Sequence, residues 1–176
     1  NDKLGNFFQK DLKKNKISFN CIIDKSRNTT LKERFWADKH KLIQVDVVDN
    51  HVISEKIENQ IKLRISKLSA DGIIFSDFRH GIFNNNSIKN FCKNLNKKTI
   101  KVADSQVSNR WGNILDFKNF NLILPNEKEA RFCLADQDSA VRQLGTKLYR
   151  ESKSQYLILK LGEKGILTFR NSAENP

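Results

Sequence analysis

Four places in the sequence set residues suited to phosphate or sugar chemistry directly after an apolar run. Asp77 follows Ile73-Ile74-Phe75 within the segment Phe75-Ser76-Asp77-Phe78-Arg79-His80-Gly81. Asp104 follows Ile100-Lys101-Val102-Ala103 in the same manner. Asn126 and Glu129 stand just beyond Leu122-Ile123-Leu124-Pro125, and Lys160-Leu161-Gly162-Glu163-Lys164-Gly165 comes directly after Leu157-Ile158-Leu159. A carboxylate past a strand can accept hydrogen bonds from sugar hydroxyls. A helix that starts there presents backbone N–H groups to an anion. A carboxylate in its first turn can hold water around a magnesium ion, which keeps much of its hydration shell. Glycines such as Gly162 and Gly165 let the backbone turn tightly and approach a ligand. Each place also has a plainer reading. Asn126 and Glu129 can form a capping box, Gly162 and Gly165 a hairpin turn, and Asp77 a turn cap. The glycine turn is not a Walker loop, because Gly-Lys-Ser/Thr is missing.

The elements that must position these residues follow from periodicity. Leu4, Phe7, Phe8 and Leu12 mark a helical face over Leu4 to Asn15. Ile17 to Ile23 is strand-like and ends in the turn cluster Asp24 to Asn28. Thr29 to Trp36 and Leu42 to Val48 predict an antiparallel hairpin, with Arg34 either reaching an anionic substituent or simply solvated. Helices are expected over Ser54 to Leu68, Asn84 to Leu95, Asn126 to Leu134 and Asp138 to Ser152. Between them fall strands at Gly72 to Ser76, Thr99 to Ala103, Asn121 to Leu124, Tyr156 to Leu159 and Gly165 to Phe169. The stretch from Asn109 to Phe120 reads as irregular, and Asn171 to Pro176 as a loop. Trp36 and Trp111 read as packing residues. Alternation of strand and helix describes an α/β fold with a doubly wound, mainly parallel sheet, whose ligands bind at the carboxyl ends of the strands. The β-rich stretch 17–48 differs in period and reads as a lid-like appendage within one partial domain spanning residues 1–176.

Composition narrows the class. With 30% charged and 38% hydrophobic residues among 176, the chain suits a globular domain. No apolar run approaches the roughly 20 residues of a membrane span, so no membrane partner is expected. Cys21, Cys92 and Cys133 lie far apart without metal-ligand spacing, and His40, His51 and His80 do not pair at metal-binding intervals. They predict reduced thiols and a cytoplasmic setting. The net charge of +12 raises nucleic-acid binding as a class. The lysines are scattered and lack the basic-aromatic interleaving of a single-strand binder, which argues against it. A positive field still favours anionic substrates such as nucleotides and sugar phosphates. The chain contains no methionine and opens Asn1-Asp2-Lys3-Leu4-Gly5, which reads as the interior of a longer polypeptide.

Taken together, the motifs resemble the ribokinase/PfkB family of carbohydrate kinases. Asn126-x-x-Glu129 is similar to the family's Asn-x-x-Glu element, and Leu161-Gly162-Glu163-Lys164-Gly165 to its nucleotide-contacting Leu-Gly-x-x-Gly turn. Ser76-Asp77-Phe78 with Gly81 looks like a segment of the heptose-phosphate kinase branch, the kinase half of ADP-heptose synthase. So does Thr29-Thr30-Leu31-Lys32-Glu33-Arg34-Phe35 followed by Gln44-Val45-Asp46. The resemblance implies a ribokinase-like fold and an ATP- and Mg2+-dependent kinase acting on a sugar or sugar phosphate. It implies that Asn126 and Glu129 position the magnesium–phosphate group, with Glu129 reaching the metal through water. Lys160, Gly162 and Gly165 would line the nucleotide site, and Asp77 would lie near the sugar; by their positions in the sequence Asp104 and Arg34 are expected at the substrate as well. Lys160 departs from the family's threonine or serine. The amino-terminal Gly-Gly segment and the carboxyl-terminal Gly-Ala-Gly-Asp, which carries the base, are not in the sequence. The expectation is therefore the central portion of a kinase, inactive alone, with a homodimer through the β lid as a candidate assembly. The alternative is a non-catalytic nucleotide- or sugar-phosphate-binding or interaction module of the same fold.

Overall fold

The structure, a computed structural model, describes residues 2–107 and 112–170. It opens with helix α1 (Lys3–Lys14), capped by the Asp2 side chain, which accepts from the Gly5 N–H at 2.7 Å. The antiparallel pair β1 (Leu31–Ala37) and β2 (His40–Val47) follows, turning at Asp38 in a left-handed conformation. Then come α2 (Glu55–Ile65), β3 (Gly72–Asp77), α3 (Asn85–Cys92), β4 (Ile100–Ser105) and β5 (Leu122–Ile123). The described chain finishes with α4 (Glu127–Leu134), α5 (Val141–Ser152), β6 (Tyr156–Lys160) and β7 (Ile166–Arg170). The second sheet has the order β3-β4-β5-β6-β7, parallel throughout except for β7. This is the mainly parallel α/β sheet with a separate hairpin that the alternation predicts.

Two expectations about local structure are corrected. Ile17 to Ile23 joins no ladder. A β period becomes a strand only when a partner lies in register beside it, and here the segment runs against α2 instead, where Arg64 donates to the Cys21 carbonyl at 3.0 Å. Trp36 is 57% exposed on the hairpin, not packed. Trp111 and the tail 171–176 lie outside the described residues.

Strand parity decides the core. Phe75, Ala103, Ile123, Leu157 and Phe169 share one register row and one face of the sheet, and all are buried. Helices cover this face through Ile61 and Ile65 of α2, Phe91 of α3, Ala130 of α4 and Leu144 of α5. Each such large apolar side chain contributes about 1.5–3 kcal/mol when removed from water. Phe75, Phe117 and Phe120 add edge-to-face ring contacts with centroids 5.1–6.1 Å apart. The 3-10 turn at Ile114–Phe117 buries Ile114 and Phe117, from the stretch expected to be irregular. Gly145 lets α5 approach closely, since a Cβ there would stand 2.3 Å from the Phe169 ring.

Candidate functional site

Because β3 to β6 run parallel, their carboxyl ends meet at one edge of the sheet. Asn126 caps α4 and forms the reciprocal box: its Oδ1 accepts from the Glu129 N–H at 2.8 Å, and Glu129 Oε2 accepts from the Asn126 N–H at 2.7 Å. The plainer reading of this pair is thus present in full. Asn126 also bridges Lys160 across the strand ends. Lys160 extends its Nζ to Asp104 Oδ1 at 2.9 Å, spanning from β6 to β4 over the end of β5. Glu129 is buried, and burial holds its carboxyl above the usual carboxylate range. The Asn126 hydrogen bond and the Lys160 charge oppose that rise, while Asp104 adds to it. Asp104, Asn126, Glu129 and Lys160 therefore form one electrostatic cluster.

The glycine turn adjoins it. Leu161 to Gly165 joins β6 to the antiparallel β7, so it is a hairpin connection as well as a strand-end loop. Gly162 and Gly165 have φ of 63° and 90°, and no other atoms approach within 4 Å of the place a Cβ would occupy. Both are needed for the backbone conformation, and the outer surface of the turn is open.

Asp77 does not join this cluster. It is 2% exposed and bound by the Arg79 N–H at 2.7 Å, Arg79 Nη1 at 2.6 Å and the Ser105 hydroxyl at 3.0 Å. Asp116 stands 3.3 Å from the same Arg79 nitrogen. Arg79, Ser105 and Asp116 were not anticipated from sequence. The signal available was Arg79 two residues after Asp77, a spacing that lets the side chain fold back. Arg34 lies exposed on β1 and donates to Gln44 Oε1 at 3.0 Å. The foot of the hairpin, in contrast, approaches the β3 end: the Thr30 hydroxyl is 3.3 Å from His80 Nδ1. Burial and the Lys32 charge push the His80 imidazole below its ordinary range.

An apolar cleft of 610 Å3 between α2 and residues 20–27, lined by Ile22, Ile53, Ile57, Ile61 and Leu68, shares no residue with the cluster. Among the described residues no group of three or more His, Cys, Asp and Glu side chains is arranged to hold a metal. The donor chemistry nevertheless suits magnesium held through water: Glu129 and Asp104 each retain a carboxylate oxygen outside the bonds named above, and both are hard oxygen ligands.

No protein-family model matches the chain, and no curated protein matches it. Solved structures do. Ribokinase from Giardia lamblia aligns with a TM-score of 0.71 at 16% identity, covering 98% of this chain and 53% of its own. Phosphofructokinase-2 from Escherichia coli in complex with fructose-6-phosphate aligns at 0.57 and 15% identity, over 74% of this chain and 45% of its own. The tetrameric inhibited form of the same enzyme aligns at 0.55 and 16% identity, over 74% and 44%. The chain thus has the ribokinase-like α/β fold of PfkB-type sugar kinases. It spans about half the length of the structures it matches. No helix among the described residues is long and apolar enough to cross a membrane.

Proposed function

We propose that the chain is the central portion of an ATP- and Mg2+-dependent kinase that transfers a γ-phosphoryl group to a hydroxyl of a sugar or sugar phosphate. The observation that carries this reading is the joining of Asp104, Asn126, Glu129 and Lys160 at the carboxyl edge of a sheet with the sugar-kinase fold. In that role Lys160 supplies a mobile positive charge for the polyphosphate, and the open turn at Gly162 and Gly165 offers backbone to the nucleotide. Glu129 and Asp104 would hold magnesium through water, and the metal would offset phosphate charge. Such transfer depends on positioning and charge neutralisation rather than covalent chemistry. The heptose-phosphate branch, a cytoplasmic location and pairing of the β1–β2 hairpin across a dimer belong to the same proposal. So does the treatment of residues 1–176 as one partial domain with residues 17–48 as its lid.

A second reading has its own support. With Asp77 sequestered by Arg79, the β3 end offers no free carboxylate to a sugar, which favours a nucleotide-binding module without transfer. One assay separates the two. ADP release is measured with a panel of sugars and sugar phosphates, using the protein expressed from its own coding sequence. Sugar-dependent release supports the kinase, and ATP binding without release supports the module. The isolated chain is expected to release no ADP, and turnover by it would refute its assignment as an incomplete catalytic unit.

A further inference from the structure

The connection from β4 to β5 passes beside α3 and leaves a polar groove of about 660 Å3 between that helix and the 3-10 turn at Ile114–Phe117. Lys89 of α3, Lys101 of β4 and Lys118 just past the turn line it. The groove shares no residue with the cluster of Asp104, Asn126, Glu129 and Lys160. Its size is in the range of small-molecule sites, about 300–1,000 Å3. Lysines are scattered over much of the chain, and here three converge on one hollow.

Lys101 is the most informative of them. Side chains alternate along β4, so Lys101 shares the face of Ala103, which the helices cover. Its ladder neighbour Ile73 packs against the core, as an apolar residue in that row should. An ammonium set there costs desolvation unless something answers its charge. Among the described residues it meets no carboxylate, and the ring of Phe120 lies 5.7 Å from its Nζ. The charge also reaches the Cys92 thiol in the same groove: burial pushes that thiol above its ordinary range, and Lys101 opposes the rise. The one carboxylate lining the groove, Asp116, is already engaged by Arg79 Nη1 at 3.3 Å and by the Asn113 N–H at 3.2 Å.

The neutral groups around the lysines are donors as well. Asn113 uses its Oδ1 to accept from the Leu115 N–H at 2.8 Å, which leaves its amide NH2 to donate. The side chains of Asn85 and Asn119 line the groove without a protein partner among the described residues. Asn119 is fixed by its backbone: φ is 62°, and its N–H donates to the Ser152 carbonyl at 2.9 Å. Three ammonium groups and three amides, set around one engaged carboxylate, suit an anion that also carries hydroxyl groups. We propose that this groove binds a small organic phosphate. Lys89, Lys101 and Lys118 meet its phosphoryl oxygens, and the three asparagine amides bond the hydroxyls of its body. The site is additional to the strand-end cluster and does not depend on the kinase reading.

Cys92 is a built-in reporter. The protein expressed from its own coding sequence is labelled with iodoacetamide, and the labelled thiols are read by peptide mass spectrometry. Inorganic phosphate, glucose 6-phosphate and AMP are each added at about 10 mM, ten times a Kd of about 1 mM. At least one of them should slow labelling of Cys92 about fivefold while Cys21 and Cys133 keep their rates. The ranking of the three separates a bare anion from a sugar phosphate and from a nucleotide. Lys101→Met and Lys118→Ala should each weaken the protecting probe about tenfold in calorimetric titration. Lys160→Ala, at the strand-end cluster, should leave the protection of Cys92 intact. Lack of protection by all three probes overturns the proposal. So does protection that survives undiminished in either groove variant, or that disappears in Lys160→Ala. Lys118 is exposed, so its variant carries the test should Lys101→Met fail to fold.

Discussion

Asp77 and Asp104 end neighbouring parallel strands, yet one is locked in the interior and the other faces water. The register accounts for it. Asp104 pairs Ser76, and Asp77 pairs Ser105, so the two aspartates are offset by one residue. A one-residue offset reverses the face to which a side chain points. Asp77 points to the helix-covered face and must carry a buried counter-ion, which Arg79 provides. Asp104 points to the opposite face, where Lys160 meets it with both side chains about 40% exposed. Similar sequence positions after similar apolar runs thus hold one structural carboxylate and one available carboxylate. Strand-end position alone does not make a binding group; strand parity must agree.

The largest expected effect comes from breaking the interior pair. Arg79→Ala should lower unfolding stability by about 3–5 kcal/mol, because it strands a buried carboxylate. Urea denaturation measures it, and a loss below about 1 kcal/mol would erase the contrast drawn between the two aspartates. The exposed pair should behave oppositely. Lys160→Ala should change stability by less than about 1 kcal/mol while weakening ATP binding about tenfold, by loss of a charge-assisted contact. Calorimetric titration with ATP and magnesium reads the second quantity, and unchanged affinity would remove Lys160 from the nucleotide site.

Glu129→Gln sharpens the comparison from beside Asp104. Glutamine can still complete the capping box, so melting temperature should fall little while magnesium-dependent turnover of the full protein falls more. A sharp loss of stability with turnover per folded molecule intact would leave only the cap. The pH dependence has a defined sign. The folded-state value of Glu129 is raised by burial, so its contribution to stability is present at low pH and is lost as pH rises through that raised value. The glutamine variant should lack this decline in acid titrations of stability. The smallest effect belongs to Asp2, a third aspartate, which accepts hydrogen bonds from the N–H groups of Thr29 and Gly5. Those bonds lower it to about 2. Its contribution is present above the ordinary aspartate value and is lost as pH falls through about 2. Asp2→Ala should speed amide exchange at Gly5 and leave exchange in β3 to β6 unaltered.

Much of the arrangement was legible because periodicity and end signals agree. The run to Leu124, the stop at Pro125, and Asn126 three residues before Glu129 define a strand, a turn and a capped helix without reference to anything distant. The helix expected from Asn84 also begins there, and the structure adds that Asn84 caps α3 as a box with Ser87. Ile17 to Ile23 misled because alternation reports local fitness for a strand and says nothing about a vacant neighbour. The sequestration of Asp77 was hidden for a related reason. It depends on the pairing of Asp77 with Ser105 and on Asp116 arriving from the 3-10 turn, neither of which periodicity encodes. The burial of Phe117 and Phe120 escaped because polar residues surround them in sequence. The Lys160–Asp104 bond joins residues 56 positions apart and needed the sheet order to become visible.

The sheet face opposite the helices, where Ile74, Ile100, Tyr156 and Ile166 are exposed, bears on how the chain behaves in a test tube. That apolar group is an adhesive surface, and the +12 charge is the force keeping copies dispersed. Salt shortens the reach of that repulsion from about 10 Å at 0.1 M to about 3 Å at 1 M. Solubility of the isolated chain should therefore decline as ionic strength rises, with dilute buffers its natural storage condition.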